Sequence, residues 1–343
     1  MKKLKWLIVS AVLCMAMIMA GCNTTANTDN RITIVCTNFP LYDWTSQLLK
    51  GCDAEVILLL NNGADMHSFQ PSAQELIQIA DCDVLIHVGG ESDAWLTDAL
   101  EANPNENRTV VNLMEILEAD VYKTEYVEGM QTDHVHEDGS VCSETHLEHE
   151  EGAEVTAEEL HSHANESDEH VWLSLRMAVK ACEAIKEGLC VVLPEDAEHI
   201  SANKEAYCNE LLALDQKYAD MVMNYTSEPV VIVADRFPFM YMMKDYGIEY
   251  YAAFPGCSTE SEADFETVVF LAEKTKEYNT KVLLITESGT DTLAKTVYEN
   301  AGLEGEVAVL HSMQVVYQSD IDAGASYIAY MEDNLKVLEE VLQ

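Results

Sequence analysis

The chain has 343 residues, with 61 Asp and Glu against 19 Lys and Arg, for a formal charge of −42. Such an acidic surface repels polyphosphate, which excludes a nucleic-acid binder, and it favours cations as partners. A hydrophobic fraction of 48% excludes a wholly disordered chain, and the length suggests two domains, each with its own core.

The chain opens with Lys2, Lys3 and Lys5, then an apolar run from Trp6 to Ala20, then Gly21-Cys22. A basic start followed by a short apolar stretch reads as a secretory signal; the run is short for a transmembrane helix and no basic flank follows it. Met19-Ala20-Gly21-Cys22 resembles the bacterial lipobox, in which the cysteine is lipidated and becomes the new N-terminus. Residues 1–22 are therefore expected to be a lipoprotein signal peptide, and 23–30 a polar tether. The mature chain should lie outside the cytoplasm, lipid-anchored to the cell membrane through Cys22, with a charge of −45 once the three lysines are removed. The remaining cysteines form no CxxC pair, and those inside apolar runs (Cys36, Cys82, Cys190) read as buried thiols.

Short apolar runs then alternate with helical patterns. Ile32–Cys36, Val56–Leu60, Val84–Val88 and Thr109–Leu113 read as buried strands, with a helix over Pro71–Ala80 among them. The rhythm returns in Val230–Ala234, Glu249–Ala252, Val282–Thr286 and Val307–Leu310, with helices over Phe265–Tyr278 and Asp291–Ala301. This alternation predicts an α/β fold: two parallel-sheet lobes, 31–193 and 226–343. Between them, Pro194–Tyr225 carries Ile200, Tyr207, Leu211, Leu214, Tyr218, Met221 and Tyr225 on one stripe with no internal Gly or Pro. A helix of that length spans roughly 45 Å and would act as a rigid strut. An ordinary surface helix of the first lobe is the plainer alternative.

The segment 118–169 differs from the rest. It holds 17 acids and one base, Lys123, in 52 residues. It also contains His134, His136, His146, His149, His161 and His163. Such a stretch cannot bury enough apolar surface to fold by itself, and most of it reads as a mobile loop inserted in the first lobe. Paired histidines there would chelate cations weakly and the acids would concentrate them, or the loop is merely a solvated linker.

Outside that loop, three histidines fall just past a strand or at a helix start. They are His67 in Gly63–Pro71, His170 in Asp168–Leu173, and His311 after Val307–Leu310. Ligands gather at the carboxyl ends of strands in open α/β sheets. A helix N-terminus disfavours imidazolium, so His170 is expected to be neutral and free to bind a metal. His87, in an apolar strand, and His199, on the long helix, are left out of the site.

These motifs resemble the metal-binding lipoproteins of ABC importers for zinc and manganese. Gly63–Pro71, with the following strand and Trp95, is similar to that family's first ligand motif. Glu169-His170-Val171-Trp172-Leu173 is similar to the second, with Glu169 where Pro is usual. Asn203–Tyr207 and Leu211–Asp215 resemble its connecting helix, and an acidic His-rich loop marks its zinc-type members. The resemblance implies two α/β lobes joined by one long rigid helix, a metal site in the interlobe cleft, and delivery of the metal to an ABC permease in the membrane.

It also implies two further ligands in the second lobe, where the residue types depart from the family pattern. Asp235 matches the position of the third ligand and His311 that of the fourth. The implied set is His67, His170, Asp235 and His311, with Glu287 as an alternative oxygen donor or as a residue orienting a ligand. Such an N₃O set suits Zn²⁺, whereas Mn²⁺, the alternative cargo, favours more oxygen. Binding should weaken at acid pH as protons compete for the histidines. No HExxH, GxSxG or Walker pattern supports an enzyme. A siderophore- or corrinoid-binding protein of similar shape should show arginines and aromatics at the cleft instead. A monomer is expected, and a second role in cell adhesion stays open.

Overall fold

The computed structural model describes residues 31–131, 167–258 and 262–342. The expected signal peptide, the tether and the six loop histidines lie outside these residues. From Ile32 onward the chain folds as one compact unit built on two four-stranded parallel sheets.

The first sheet uses β1 (Ile32–Cys36), β2 (Ala54–Leu58), β3 (Val84–His87) and β4 (Thr109–Asn112), in the spatial order β2-β1-β3-β4. Helices α1 (Phe39–Leu48), α2 (Ala73–Asp81), α3 (Trp95–Ala102) and α4 (Leu175–Val192) accompany it. The apolar runs are unbroken because β1 and β3 are covered on both faces; Val35, Val84 and Leu85 are fully buried. The helix expected from Pro71 begins instead at Ala73. Ser72 caps it, accepting from the Glu75 backbone N–H while the Glu75 carboxylate accepts from the Ser72 N–H.

The stripe at 200–225 forms one helix, α5 (Ala197–Asn224), entered through a 3₁₀ turn at Pro194–Asp196. Ile200, Tyr207, Leu211, Leu214 and Tyr218 are buried along it. The second sheet follows with β5 (Val230–Phe237), α6 (Met240–Tyr246), β6 (Glu249–Pro255), α7 (Phe265–Glu277), β7 (Val282–Ile285), α8 (Asp291–Ala301) and β8 (Glu306–Val309). Its order, β6-β5-β7-β8, repeats the topology of the first. The chain ends in α9 (Tyr327–Val341), among the described residues no helix is long and apolar enough to cross a membrane.

The acidic segment departs from the expectation at its start. Residues 121–131 form no helix or strand, but they are tied down: Lys123 bridges to Ser167, and Gln131 reaches the second sheet. Gln131 is buried, donates its N–H to Ala253 O at 2.8 Å and accepts the Asp264 N–H at 2.6 Å through its side chain. The Tyr122 N–H donates to the Tyr241 hydroxyl at 3.1 Å. A polar segment can be held by backbone hydrogen bonds to an edge strand even when its composition is too polar to form a core.

Asp43 joins three parts of the chain. This buried α1 carboxylate accepts from the Tyr207 hydroxyl of α5 at 3.2 Å and from the Tyr327 N–H at the start of α9 at 3.1 Å. Gln47 donates to it at 3.1 Å. Burial raises its pKa above the ordinary carboxylate value despite these donors. Replacing Asp43 with Ala strands a buried hydroxyl and a buried amide, so Asp43→Ala should lower unfolding free energy by about 2–3 kcal/mol. Asp43→Asn, which keeps an acceptor, should cost less. Chemical denaturation of the two variants checks the order.

Candidate metal centre

The polar side chains at the junction of the two sheets sit on loops beyond the carboxyl ends of parallel strands, where open α/β sheets gather ligands. His67 follows β2, Ser92 follows β3, Cys257 follows β6 and Gln314 follows β8. His170 lies just before the 3₁₀ turn Val171–Leu173, itself followed by α4.

His67 is placed by a short 3₁₀ turn, Met66–Ser68, whose buried Met66 anchors it. Asp65 caps the turn, accepting the His67 N–H at 3.0 Å. On the ring, Nδ1 lies 2.8 Å from Ser92 Oγ. The Ser92 hydroxyl donates in a short bond to Glu169 Oε1, and the Ser92 N–H donates to Glu169 Oε2 at 3.1 Å. With its proton committed to Glu169, Ser92 Oγ accepts from His67 Nδ1–H, which leaves His67 Nε2 with a bare lone pair.

His170 reaches the same tautomer through a different partner. Asp168 Oδ1 accepts its backbone N–H at 2.9 Å and its ring Nδ1–H at 3.0 Å. The ring is fully buried, with the edge of Trp172 against it. Its Nε2 is bare as well. Gln314 Nε2 lies 2.8 Å from His67 Nε2 and 2.8 Å from His170 Nε2. An amide NH₂ has two protons and satisfies two lone pairs at once, whereas the amide oxygen would be repelled there. A metal cation can take the place of that NH₂ group, because both converging lone pairs can be donated to it.

The electrostatics are uneven. Burial lowers the His67 pKa to about 4, helped by the positive potential of His170 and Arg236. At His170 burial also acts downward, but the Asp168 and Glu169 carboxylates outweigh it and the net shift is upward. The direction is opposite to the one a helix N-terminus imposes, because only a single 3₁₀ turn follows His170 directly and the adjacent carboxylates dominate. Glu169 itself is raised by burial. At the rim, Arg236 pairs with Asp65 at 2.8 Å and donates to Ser288 Oγ at 3.0 Å, linking β5 to the His67 turn. Burial raises the Asp65 carboxyl, but Arg236 outweighs it and holds the group below its ordinary value.

Asp235 and His311 do not join this group. Asp235 Oδ2 accepts from Thr286 N at 2.9 Å and Thr286 Oγ1 at 2.7 Å, and Oδ1 accepts from Arg236 N at 2.8 Å. Its carboxylate is used in tying β5 to the end of β7. His311 is held by Asn334 of α9 through its backbone, its Nδ1 accepts the Met313 N–H at 3.1 Å, and its ring packs on Tyr330. It faces a cavity of about 390 Å³ lined also by Asp65, Glu287 and Tyr317. Among the described residues, the group whose donor atoms all lie within 4.8 Å of one another is His67, His170 and Cys257. Of the expected set, His67 and His170 meet in this group, whereas the Asp235 carboxylate is bonded to Thr286 and Arg236, and His311 uses its Nδ1 on Met313 N–H.

Glu287 has a positioning role in this geometry. Its carboxylate accepts from Ser312 N and Ser312 Oγ at 2.8 Å each, from Gln314 N at 3.1 Å and from Val315 N at 3.2 Å. It therefore holds the loop that presents Gln314. That loop turns through a left-handed conformation at the buried Met313, with φ 60°.

Sequence reasoning missed Gln314, Cys257 and Ser92. Gln314 carried a faint signal as a polar residue among Met313, Val315 and Val316. Cys257 followed Pro255-Gly256 at a strand end. Ser92 carried none, since its role depends on Glu169, which is distant in sequence.

Fold and site together define a two-lobed α/β protein with a cluster of donor atoms able to hold a metal ion. The family model for "Zinc-uptake complex component A periplasmic" matches residues 34–341, and the chain belongs to that family. It is 29% identical over 340 residues to the zinc-binding lipoprotein AdcA of Streptococcus pneumoniae, covering 99% of this chain and 61% of that one. It is 25% identical over 344 residues to the high-affinity zinc uptake system protein ZnuA of Bacillus subtilis, covering 98% of each. The chain thus spans about three fifths of the AdcA relative, 61%. The Zn(II)-bound ZnuA-like domain of Streptococcus pneumoniae AdcA has the same fold, with a TM-score of 0.65 at 24% identity over 91% of this chain and 99% of that one.

The tautomers are directly observable. Long-range ¹H–¹⁵N spectra of the metal-free chain at about pH 8 should show both His67 and His170 protonated at Nδ1. An Nε2–H form of either would contradict the hydrogen-bond network.

Proposed function

We propose that this chain captures Zn²⁺ outside the cytoplasm and passes it to an ABC permease, with His67 and His170 as nitrogen ligands. The observation that supports the reading is the meeting of two bare imidazole Nε2 atoms on one point, each within 2.8 Å of Gln314 Nε2. Both rings are backed at Nδ1 by a carboxylate, directly at Asp168 and through Ser92 at Glu169. Carboxylate backing fixes ring orientation and raises ligand basicity, as metal-binding histidines require. Nitrogen donors favour zinc over manganese, which is held mainly by oxygen.

The chain is read as a carrier and not a catalyst. The His170 ring and Gln314 are buried where the two Nε2 atoms converge, and the site is read as closing around an ion rather than leaving an open position for water. The family match and the names of the relatives, zinc-binding and zinc uptake proteins, support the cargo and the transport role. The basic and apolar N-terminus with Cys22 supports a lipid-anchored location. The six loop histidines are proposed as accessory chelators whose loss leaves the central site intact.

Competitive titration against a chromophoric chelator tests this on the full chain. We expect one tight Zn²⁺ per chain, retained when the six loop histidines are replaced by alanine. His67→Ala should weaken it by more than the roughly tenfold to hundredfold typical of removing a supporting carboxylate, and Asp168→Asn should fall within that range. Zinc lost with the loop histidines and unaffected by His67→Ala would refute the proposal.

A further inference from the structure

We infer that Cys257 supplies a thiolate ligand to the metal held by His67 and His170, making the centre a nitrogen–sulfur site selective for a borderline-soft cation. The inference rests on the reading of those two histidines as zinc ligands. The observation behind it is geometric. Donor atoms of His67, His170 and Cys257 all lie within 4.8 Å of one another, close enough for one ion to touch all three after small side-chain rotations.

The local backbone brings the sulfur there. Strand β6 ends at Pro255, and Gly256 makes the step into the site. A Cβ at Gly256 would lie 2.8 Å from His170 Cε1 and 3.0 Å from Phe237 O, so only glycine lets the chain pass this close to the ring. The next residue is Cys257, partly exposed, with Sγ 3.8 Å from Glu169 Oε1. Its setting differs from that of Cys36, Cys82, Cys182 and Cys208, which are buried in the apolar core.

The donor count follows from these positions. Two imidazole nitrogens and one thiolate sulfur give three protein ligands from both sheets. Gln314 lies against both imidazoles, and a half-turn of its amide would present oxygen as a fourth donor. On binding, the Cys257 S–H bond breaks, a metal–sulfur bond forms and the proton leaves to solvent; no electron is transferred. Thiolate donors suit zinc and copper(I) and are poor ligands for manganese, magnesium and calcium. The sulfur therefore provides discrimination that two imidazoles and an amide would supply only weakly.

Cobalt(II) and zinc are the probes, used on the full chain with the six loop histidines replaced by alanine. Bound Co²⁺ should give a thiolate-to-metal charge-transfer band in the near ultraviolet. That band should vanish in Cys257→Ser and persist in Cys52→Ser. X-ray absorption of the zinc form should show one sulfur at about 2.3 Å. Cys257→Ser, and Cys257→Ala as a second variant, should weaken zinc by more than about tenfold while leaving the weak manganese affinity within about twofold. Metal that depends on His67 but shows no sulfur, or a band that survives Cys257→Ser, would overturn the inference and leave the two-histidine reading standing. Metal that ignores His67→Ala would overturn both.

Discussion

Two imidazole lone pairs facing one point are unfavourable unless something positive lies between them, and the surroundings of this site follow from that constraint. Each ring must be locked with its proton on Nδ1, or the second lone pair is lost. Asp168 does this directly and Glu169 does it through Ser92. Glu169 is itself buried, so it needs the Ser92 hydroxyl and amide as donors. Glycine at 90 is part of the same requirement, because a side chain there would collide with the Glu169 carboxylate. The Gln314 amide satisfies both lone pairs in the metal-free chain, which keeps the rings in place for a cation.

The two sheets are held to each other around this point. Trp172 donates its indole N–H to Ser312 O at 2.8 Å, and Tyr327 donates its hydroxyl to Trp172 O at 2.6 Å. Asp65 and Arg236 bridge the rim. Helix α5 adds the Tyr218 hydroxyl bonded to Met331 O of α9, and Asp43 ties α1, α5 and α9 together. With so many buried polar groups paired across the junction, separating the sheets would leave several unsatisfied at once. On the proposed reading, cargo exchange falls to smaller parts: the Gln314 loop tethered by Glu287, and the Asp65–Arg236 pair at the rim.

Much of the fold was legible in the sequence because parallel strands covered on both faces read as unbroken apolar runs. Val84–Leu85–Ile86 and Val231–Ile232–Val233 are of that kind, and the topology of both sheets follows from their alternation with helices. The stripe from Ile200 to Tyr218 was equally clear, since seven- and four-residue spacing persists without a breaker. His67 and His170 were found because strand ends and helix starts are visible locally. Asp235 and His311 read as equivalent by the same rule, but the Asp235 carboxylate is bonded to Thr286 and the His311 backbone to Asn334, and neither side chain is among the donor atoms that converge with His67 and His170. Those partners lie 51 and 23 residues away, and no local pattern announces them. Cys257 and Gln314 were missed for the converse reason: each becomes chemical only through neighbours on the other sheet.

The central claim is that the ion sits where the Gln314 amide now meets His67 and His170. Anomalous diffraction at the zinc edge from crystals of the zinc-loaded chain tests it most directly. The account predicts one peak bonded to both Nε2 atoms at about 2.0–2.1 Å, with the Gln314 amide nitrogen displaced from between them. A peak elsewhere, with Gln314 still bridging the two rings, would contradict it.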